Sequence, residues 1–312
     1  MKIVVTGPLG HIGSQLIREI PCIFPDALVV LLDDLSTKRY CSLFQLPATG
    51  NYRFFEADIL KADLTGFFRE ADVVIHLAAI TDAAGSFELK DHVERTNFEG
   101  TERVARACVQ TGSRLIFIST TSIYGTQSEV VDEGCPVTDL KPQSPYAESK
   151  LKAERLLEAL GQQHGLQFIT CRFGTIFGVS PGMRFHTAVN KFCWQAVMGN
   201  PITVWRTALH QLRPYLDLTD AVAALGFIIK TNLFDGRIYN VVTANSSVKS
   251  IVDIIAKQVP DLVIEYVDSQ IMNQLSYTVA NERFKGMGFE FKGSLEEGIT
   301  STIQLIKGVR RW

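Results

Sequence analysis

The 312-residue sequence lacks the features that mark several classes of protein. Its 33 acidic and 31 basic residues leave a formal net charge of −2, so it has no excess of positive charge for binding nucleic acid or an anionic membrane. No apolar run approaches the roughly 20 residues that a membrane-spanning helix needs. No charged-then-apolar signal segment stands before the first strand pattern. We therefore expect a cytoplasmic protein with no nucleic-acid or membrane partner.

Motifs that bind metals are also missing. The six cysteines contain no C-x-x-C pair, and the six histidines show no spacing typical of metal ligands. The sequence thus predicts neither a metal site nor a disulfide framework. Its composition, 46% apolar and 21% charged, is that of an ordinary globular protein, and its length suits one large domain or two interlocked ones.

The first thirteen residues carry a pattern typical of a phosphate-binding turn. An apolar run at residues 3–5 is followed by three glycines in G-x-x-G-x-x-G spacing, and apolar residues then recur at helical spacing. Glycine lets a backbone turn sharply beside an anion, and a helix N-terminus offers unpaired N–H groups and a partial positive charge. The spacing differs from the commonest dinucleotide fingerprint. The predicted phosphate site comprises Gly7, Gly10, His11, Ile12 and Gly13.

An acidic residue follows the second strand pattern. Asp33 directly follows the apolar run of residues 27–32 and lies 20 residues beyond Gly13, where a carboxylate can accept hydrogen bonds from an adenosine ribose. The same carboxylate would repel a 2′-phosphate, which favours NAD over NADP. Lys38 and Arg39 lie close enough in the sequence to weaken that preference.

Apolar strands alternate with amphipathic helices as far as about residue 173, which is the pattern of a parallel sheet covered on both faces. Residues 174–213 are then predicted to be irregular, with one helix over 187–197. The predicted fold is α/β, a Rossmann-type doubly wound parallel sheet with a smaller, interleaved C-terminal substrate lobe. Residues 1–173 would form the NAD-binding domain, to which 214–243 returns. Residues 174–213 and 244–312 would form the lobe.

A tyrosine and a lysine stand one helical turn apart at residues 146 and 150. Pro145 suits the first position of a helix, so Tyr146 and Lys150 share a face. An ammonium beside a phenol favours the phenolate and lowers a pKa that is ordinarily about 10. Such a tyrosine can take a hydroxyl proton while a hydride leaves the same carbon.

Hydroxyl side chains cluster where the fifth predicted strand ends. Thr120, Thr121 and Ser122 lie at the edge of the sheet where ligands bind, and they can hold the oxygen that Tyr146 deprotonates. Hydroxyl residues at a strand end also form ordinary turns.

The ordered set of motifs resembles the extended short-chain dehydrogenases/reductases that act as nucleotide-sugar epimerases and dehydratases. Each fragment is common, but their ordered combination is specific. The motifs that carry the resemblance are Thr6-Gly7-x-x-Gly10-x-x-Gly13, Asp33, Asp58-Ile59, His76-Leu77-Ala78-Ala79, Asn97-x-x-Gly100-Thr101, Ser119-Thr120 with Tyr124-Gly125, Tyr146-x-x-x-Lys150, Arg172-Phe173 with Phe177-Gly178, and Arg213-Pro214-Tyr215-Leu216-Asp217 before Asp220.

The resemblance implies a role for each matched position. Thr120, Tyr146 and Lys150 would be catalytic, and Lys150 would also bind the nicotinamide ribose. The substrate would be a nucleotide-diphosphate sugar, and the helices over 92–111 and 145–163 would pair two subunits as a homodimer. The resemblance implies that the glycine turn, Tyr146 and Lys150 contact NAD. It implies further contacts with NAD from Asp33, Asp34, Asp58, Ile59, Leu77, Ala78, Ala79 and Asn97. The residues implied to contact the substrate are Thr81, Thr121, Ser122 and Arg213.

The resemblance favours a 4-epimerase, in which Tyr146 removes the O4 proton, the C4 hydride passes to the nicotinamide, and the 4-keto sugar turns before the hydride returns. Related 4,6-dehydratases carry an acidic pair after the catalytic threonine, and decarboxylases usually carry glutamate at the second position, whereas Thr121 and Ser122 stand there in this chain. Two departures are Pro8, which removes an N–H from the phosphate turn, and Gly174, where many 4-epimerases carry asparagine. A dehydratase, a decarboxylase, a threonine-type dehydrogenase and, more remotely, a non-catalytic dinucleotide sensor are the alternatives.

Overall fold

The computed structural model of the chain describes residues 1–83, 85–125, 129–268 and 276–309. Its α-helices are α1 His11–Ile23, α2 Leu64–Phe68, α3 Lys90–Val93, α4 Gly100–Thr111, α5 Pro145–His164, α6 Ala188–Val197, α7 Leu218–Thr231, α8 Val248–Gln258, α9 Glu282–Gly286 and α10 Leu295–Ile306. Its strands are β1 Lys2–Thr6, β2 Leu28–Asp33, β3 Asn51–Glu56, β4 Val73–His76, β5 Arg114–Thr120, β6 Val130–Val131, β7 Phe168–Phe173, β8 Thr175–Phe177, β9 Ile202–Trp205, β10 Leu212–Asp217, β11 Ile238–Val241, β12 Ala244–Ser247, β13 Ile264–Val267 and β14 Thr278–Val279.

Seven of these strands form one parallel sheet in the order β11-β7-β5-β4-β1-β2-β3. The chain leaves β1 toward β2 and β3, and then returns to place β4 on the other side of β1. This is a doubly wound, Rossmann-type sheet, as the sequence predicts, and its crevice for a ligand lies where the direction of winding changes.

Apolar residues on both faces explain why the strands are buried. Along β1, Ile3 and Val5 pack into one core with α1 and α7, while Val4 packs into a second core with α2, α4 and α5. Successive side chains of a strand point to opposite faces, so an unbroken apolar run supplies both cores at once. The same division holds for Ile116 and Phe117 of β5.

A third apolar cluster lies among the later elements. It joins α6, β9, α8 and α10 through buried residues such as Phe192, Ile202, Ile251 and Ile303. The prediction that 174–213 is irregular was wrong in part, because β8 and β9 lie there. Each of these strands has four residues or fewer, and each pairs with a strand that comes later in the chain, β10 and β13 respectively. Periodicity over so few residues gives no detectable strand pattern.

The helix predicted over 92–111 is interrupted. It consists of α3, a π-helical turn at Glu94–Glu99 and α4. π-Helical turns inside helices are often found at functional sites, and this one contains Asn97. None of the helices in the described part of the chain is both long and apolar enough to span a membrane.

Candidate active site

The carboxyl ends of four neighbouring strands bring the predicted site segments to one edge of the sheet. The glycine turn follows β1, Asp33 ends β2, residues 77–81 follow β4, and Thr120 ends β5. Helix α5, which carries Tyr146 and Lys150, begins beside the same edge, because Lys150 Nζ reaches the carbonyl oxygen of Ile118 in β5. Segments far apart in the sequence thus share one crevice.

The glycine turn forms a cradle that a larger residue would block. Gly7 has a φ of +67°, and a Cβ on it would lie 2.6 Å from the backbone nitrogen of Ala78. A Cβ on Gly13 would lie 2.7 Å from the carbonyl oxygen of Gly7. Both positions therefore require glycine for steric reasons.

The N-terminus of α1 supplies the donors that an anion needs. Gly10 precedes the helix and has no side chain, so no side-chain oxygen caps the first turn. By helix geometry the N–H groups of His11 and Ile12 are left without an intrahelical acceptor. The open cradle and these donors fit the diphosphate of a dinucleotide, and the neighbouring Pro8 lacks an N–H of its own.

Asp33 ties the glycine turn to β2. Its Oδ2 accepts the N–H of Leu9 at 3.2 Å, and its Oδ1 accepts the N–H of Leu35 at 3.0 Å. Burial raises the pKa of Asp33, and these two hydrogen bonds oppose that rise. A carboxylate has about four acceptor positions, so positions are left for a ribose hydroxyl.

The other acidic residues predicted to contact NAD, Asp34 and Asp58, follow β2 and β3. Asp58 Oδ1 accepts the N–H of Leu60 at 2.8 Å, and its Oδ2 lies 3.1 Å from Lys61 Nζ. The neighbouring Ile59 is buried. Asp34 is exposed, and its Oδ1 accepts the N–H of Ser36 at 2.9 Å.

A chain of hydrogen bonds stiffens the segment after β4. Thr101 Oγ1 donates to the Asn97 carbonyl oxygen at 2.5 Å, so it accepts from His76 Nε2 at 3.0 Å. His76 Nδ1 then accepts from Thr6 Oγ1 at 2.7 Å, and Thr6 Oγ1 accepts the N–H of Ala78 at 3.4 Å. This arrangement needs a neutral imidazole, and burial lowers the pKa of His76 to about 3.

Asn97 supports the same segment from within the protein. Its Nδ2 donates to the carbonyl oxygen of Ile80 at 2.9 Å, and its Oδ1 accepts the N–H of Ile80 at 2.8 Å. Asn97 is fully buried, while Leu77, Ala78, Ala79 and Thr81 beside Ile80 are half-buried along the crevice. The described contacts of Asn97 therefore position the crevice wall, and its predicted contact with NAD stays a prediction.

The side chains of Thr120 and Tyr146 meet at the crevice. Thr120 is 7% exposed, and its Oγ1 accepts the N–H of Ser122 at 3.1 Å. Burial raises the pKa of Tyr146 to about 12, and the nearby Thr120 hydroxyl and the positive charge of Arg184 oppose that rise. The predicted effect of Lys150 on this phenol stays a prediction, and the structure brings in Arg184, which spacing could not indicate.

Lys150 is fixed on the inner side of α5. Its Nζ donates to Ile118 O at 2.8 Å and lies 4.8 Å from the centre of the Phe117 ring. Burial lowers the pKa of Lys150 to about 7, and the negative charge of Glu154 opposes that change. Two of the three ammonium hydrogens are left for other acceptors.

Two of the residues predicted at the substrate, Thr121 and Arg213, contact Tyr277. Thr121 Oγ1 donates to the carbonyl oxygen of Phe173 at 3.3 Å, and the Tyr277 hydroxyl donates to Thr121 O at 3.4 Å. The Arg213 guanidinium lies 5.6 Å from the centre of the Tyr277 ring, and burial lowers its pKa. Ser122 is half-buried.

Arg184 was not predicted as a site residue. Its Nη2 donates to Thr81 Oγ1, which places the guanidinium at the crevice wall. The sequence offered only an arginine within the segment 174–213, which contains glycines and prolines and was predicted to be irregular. In the described part of the chain, no cluster of three or more His, Cys, Asp or Glu residues has the arrangement of a metal site.

Comparisons with known proteins agree with this geometry. The NAD dependent epimerase/dehydratase family model matches residues 3–241. The chain is 29% identical, over 97% of its length, to the Arabidopsis thaliana trifunctional UDP-glucose 4,6-dehydratase/UDP-4-keto-6-deoxy-D-glucose 3,5-epimerase/UDP-4-keto-L-rhamnose-reductase RHM3, and it covers 47% of that protein. The chain thus spans about half the length of this plant relative.

Two further proteins match the chain along nearly its whole length. The uncharacterized UDP-glucose epimerase YtcB of Bacillus subtilis is 27% identical, with 99% of both chains covered. The solved structure of MoeE5 in complex with UDP-glucuronic acid and NAD is 27% identical, covers 99% of both chains and superposes with a TM-score of 0.85.

The family match spans the glycine turn, Asp33, the crevice wall and the Thr120, Tyr146 and Lys150 side chains, all of which lie within residues 3–241. Family members use NAD, and the cradle at the N-terminus of α1 fits its diphosphate. This protein therefore belongs to the NAD-dependent epimerase/dehydratase family.

Proposed function

We propose that this chain is a 4-epimerase of a nucleotide-diphosphate sugar that works through a transient 4-keto intermediate. Tyr146 takes the proton from O4, and the Thr120 hydroxyl hydrogen-bonds that oxygen. Bound NAD supplies the acceptor and later the donor of the hydride at C4. Tyr146 returns the proton to O4 after the hydride comes back on the opposite face, so the reaction is redox-neutral.

Tyr146 acts as a base only in its phenolate form. Burial holds its pKa at about 12 in the protein alone, and the positive charge of Arg184 opposes that rise. Any further positive charge that binds beside the Tyr146 ring lowers the pKa of its phenol toward about 7. General acid–base catalysis works best when the pKa lies near the working pH.

The observation that carries the proposal is the pair of hydroxyl residues after Thr120. Loss of water or of carbon dioxide needs proton carriers beside the keto sugar, and carboxyl groups provide them at neutral pH. Thr121 and Ser122 are far weaker acids, and the Thr121 hydroxyl already donates to Phe173 O. Oxidation at C4 and return of the same hydride is the chemistry that these residues support.

Incubation of the NAD-loaded protein with UDP-, dTDP-, GDP- and CDP-sugars, followed by NMR of the products, tests this assignment. The C4 epimer of one substrate should appear. Substrate carrying deuterium at C4 should keep its label in the epimer, with no lasting accumulation of NADH.

Other products would refute the proposal in distinct ways. A product without the 6-hydroxyl would indicate a dehydratase, which the name of the Arabidopsis relative makes the leading competitor. Released carbon dioxide would indicate a decarboxylase, and stoichiometric NADH a dehydrogenase. Each of these results leaves the fold and the cofactor unaffected.

For the substrate, we propose a sugar nucleotide that carries UDP. The support is that MoeE5 was solved with UDP-glucuronic acid and that YtcB and RHM3 are named for UDP-sugars. Arg213 is the proposed contact of a substrate phosphate, with Thr81, Thr121 and Ser122 near the sugar. The sugar panel tests the nucleotide, and Arg213→Gln should raise KM more than it lowers kcat.

We further propose that the apolar cluster of α6, β9, α8 and α10 is the core of a substrate lobe built from 174–213 and 244–312, with 214–243 belonging to the NAD-binding domain. Residues 269–275 and 310–312 of that lobe lie outside the described part.

We also propose a homodimer through α4 and α5. Exposed residues there, such as Arg106 and Arg155, are charged, while Val109 and Leu156 are half-buried. Light scattering after gel filtration decides the oligomeric state.

A further inference from the structure

A short segment after β8, residues 178–184, is closed into a loop by one buried side chain. Asn190 is fully buried; its Oδ1 accepts the N–H of Gly178 at 3.3 Å, and its Nδ2 donates to the carbonyl oxygen of Arg184 at 3.1 Å. One amide thus binds both ends of the segment, which we call the arginine loop. These two hydrogen bonds hold the backbone of the arginine loop in one conformation.

The arginine loop is docked on the glycine turn. His11 Nε2 donates to Gly178 O at 2.8 Å. The N–H of Gly182 donates to Ser14 Oγ at 2.9 Å, and Ser14 Oγ donates to Ser180 Oγ at 3.1 Å. Ser180 Oγ in turn donates to the carbonyl oxygen of His11 at 2.9 Å. The loop is therefore fixed to the same helix N-terminus that fits a diphosphate.

Close backbone packing supports this docking. A Cβ on Gly182 would lie 2.3 Å from the carbonyl oxygen of Leu9 and 2.5 Å from that of Gly10. Such an approach is possible only for glycine. It places the next residues of the loop directly beside the phosphate cradle.

The loop carries Arg184 into the crevice. The guanidinium hydrogen-bonds Thr81, and its charge acts on Tyr146. Burial and the nearby Arg39 guanidinium lower the pKa of Arg184, while Asp82 opposes that change. Across the described ranges, no carboxylate oxygen comes within 4.0 Å of this guanidinium.

A half-buried guanidinium without a close carboxylate favours binding an anion there, since a charge removed from water needs a partner. Beyond the N–H groups of His11 and Ile12, the turn offers no donor from Pro8, which has no N–H, or from Leu9, whose N–H is bonded to Asp33. An arginine offers five N–H donors in a planar fork that suits phosphate oxygens.

We propose that Arg184 is a ligand of the NAD diphosphate, presented to the glycine turn by the arginine loop. The loop then has two roles: it covers the cradle and completes its set of donors. Arg184 also joins the cofactor site to the catalytic tyrosine, since the same charge favours the phenolate of Tyr146.

Titration calorimetry of the cofactor-free protein with NAD and with adenosine tests the proposal. Adenosine keeps the base and the ribose but has no diphosphate. Arg184→Gln should weaken NAD binding about 10- to 100-fold, the usual range for a lost hydrogen bond to a charged group, and should leave adenosine binding unchanged. Lys191→Gln removes a positive charge from the exposed side of α6 and should bind NAD as the wild type does.

Three results for Arg184→Gln would overturn the proposal. The first is NAD affinity within twofold of the wild type, and the second is an equal loss of affinity for NAD and for adenosine. The third is a loss of affinity confined to UDP added to the NAD-loaded protein, which would assign Arg184 to the substrate. Should Arg184→Gln fail to fold, Arg184→Lys provides the same comparison with a smaller loss. The proposal depends on NAD and not on the reaction at C4, so the sugar-panel experiment can fail without affecting it.

Discussion

Arg172 of β7 and Glu154 of α5 form a two-point ion pair in the protein interior. The Arg172 Nε lies 3.0 Å from Glu154 Oε1, and its Nη2 lies 2.7 Å from Oε2. Oε1 also accepts a hydrogen bond from Ser119 Oγ at 2.5 Å, next to Thr120. The pair thus fixes β5, β7 and α5 together one helical turn beyond Lys150.

We predict that Glu154→Gln lowers the free energy of unfolding by about 3–5 kcal/mol, because it leaves Arg172 buried without a countercharge. Urea denaturation at pH 7 measures the change. The double variant Glu154→Gln, Arg172→Met removes both charges and should recover part of the loss. Equal destabilisation by the single and the double variant would show that the charge of Arg172 is not the cause.

Tyr146→Phe should reduce turnover by about 10²–10⁴-fold, the usual contribution of a general acid–base group. The substitution keeps the ring and removes only the ionisable oxygen, so the melting temperature and the NAD affinity should be close to those of the wild type. Turnover is measured on the sugar identified in the panel. A variant with nearly full activity would place the acid–base chemistry on another residue.

Asp33→Ala should weaken NAD binding by about 1–3 kcal/mol, because charged hydrogen bonds to the ribose are lost, and it should reduce the preference for NAD over NADP. Asp26→Ala is the control, since Asp26 is exposed and precedes β2, at the opposite end of the strand from Asp33. Calorimetric titration of both variants with NAD and NADP decides the point. Tighter binding of NADP than of NAD by the wild type would contradict the assignment.

The half-buried His11 and the buried His76 should make the protein sensitive to acid. Burial lowers the pKa of His11 to about 4 and that of His76 to about 3, from an ordinary value of about 6.5. Below pH 6.5 the unfolded chain binds protons that the folded chain does not, so the free energy of unfolding should fall as the pH drops from 6.5 toward 4, by up to about 1.4 kcal/mol per pH unit for each histidine.

The variant His11→Gln isolates one of these contributions, because glutamine can still donate to Gly178 O and does not titrate. Its unfolding free energy, measured in urea between pH 4.5 and 7, should fall less steeply than that of the wild type. Parallel curves for the two proteins would show that His11 is protonated equally in the folded and unfolded states.

Gly182→Ala should destabilise the protein by about 1–3 kcal/mol, since the added methyl group meets backbone oxygens that have little room to move. NAD affinity should fall as well, because the arginine loop can no longer dock. Gly286→Ala in α9 is the control, as a Cβ there would have nothing within 4 Å. Thermal denaturation of both variants checks the comparison, and equal melting temperatures would contradict close packing at Gly182.

The sequence alone determined the features that depend on neighbouring residues. Apolar runs set the buried strands, glycine spacing set the turn after β1, and Ser144 and Pro145 set the start of α5, whose first turn is capped by the Ser144 side chain. Because parallel strands place their carboxyl ends at one edge, the order of these motifs also predicted which segments share the crevice. The roles of individual site residues stay predictions.

Only the tertiary structure decided the contacts between distant segments. Arg184 and Thr81 are 103 residues apart, and His11 and Gly178 are 167 residues apart. The short strands β8 and β9 likewise depend on partners that come later in the chain. Periodicity and turn chemistry reflect local conformation, whereas these contacts arise when the whole chain packs around its cores. For that reason spacing could indicate Lys150 near Tyr146, whereas Arg184 is brought to the crevice only by contacts between distant segments.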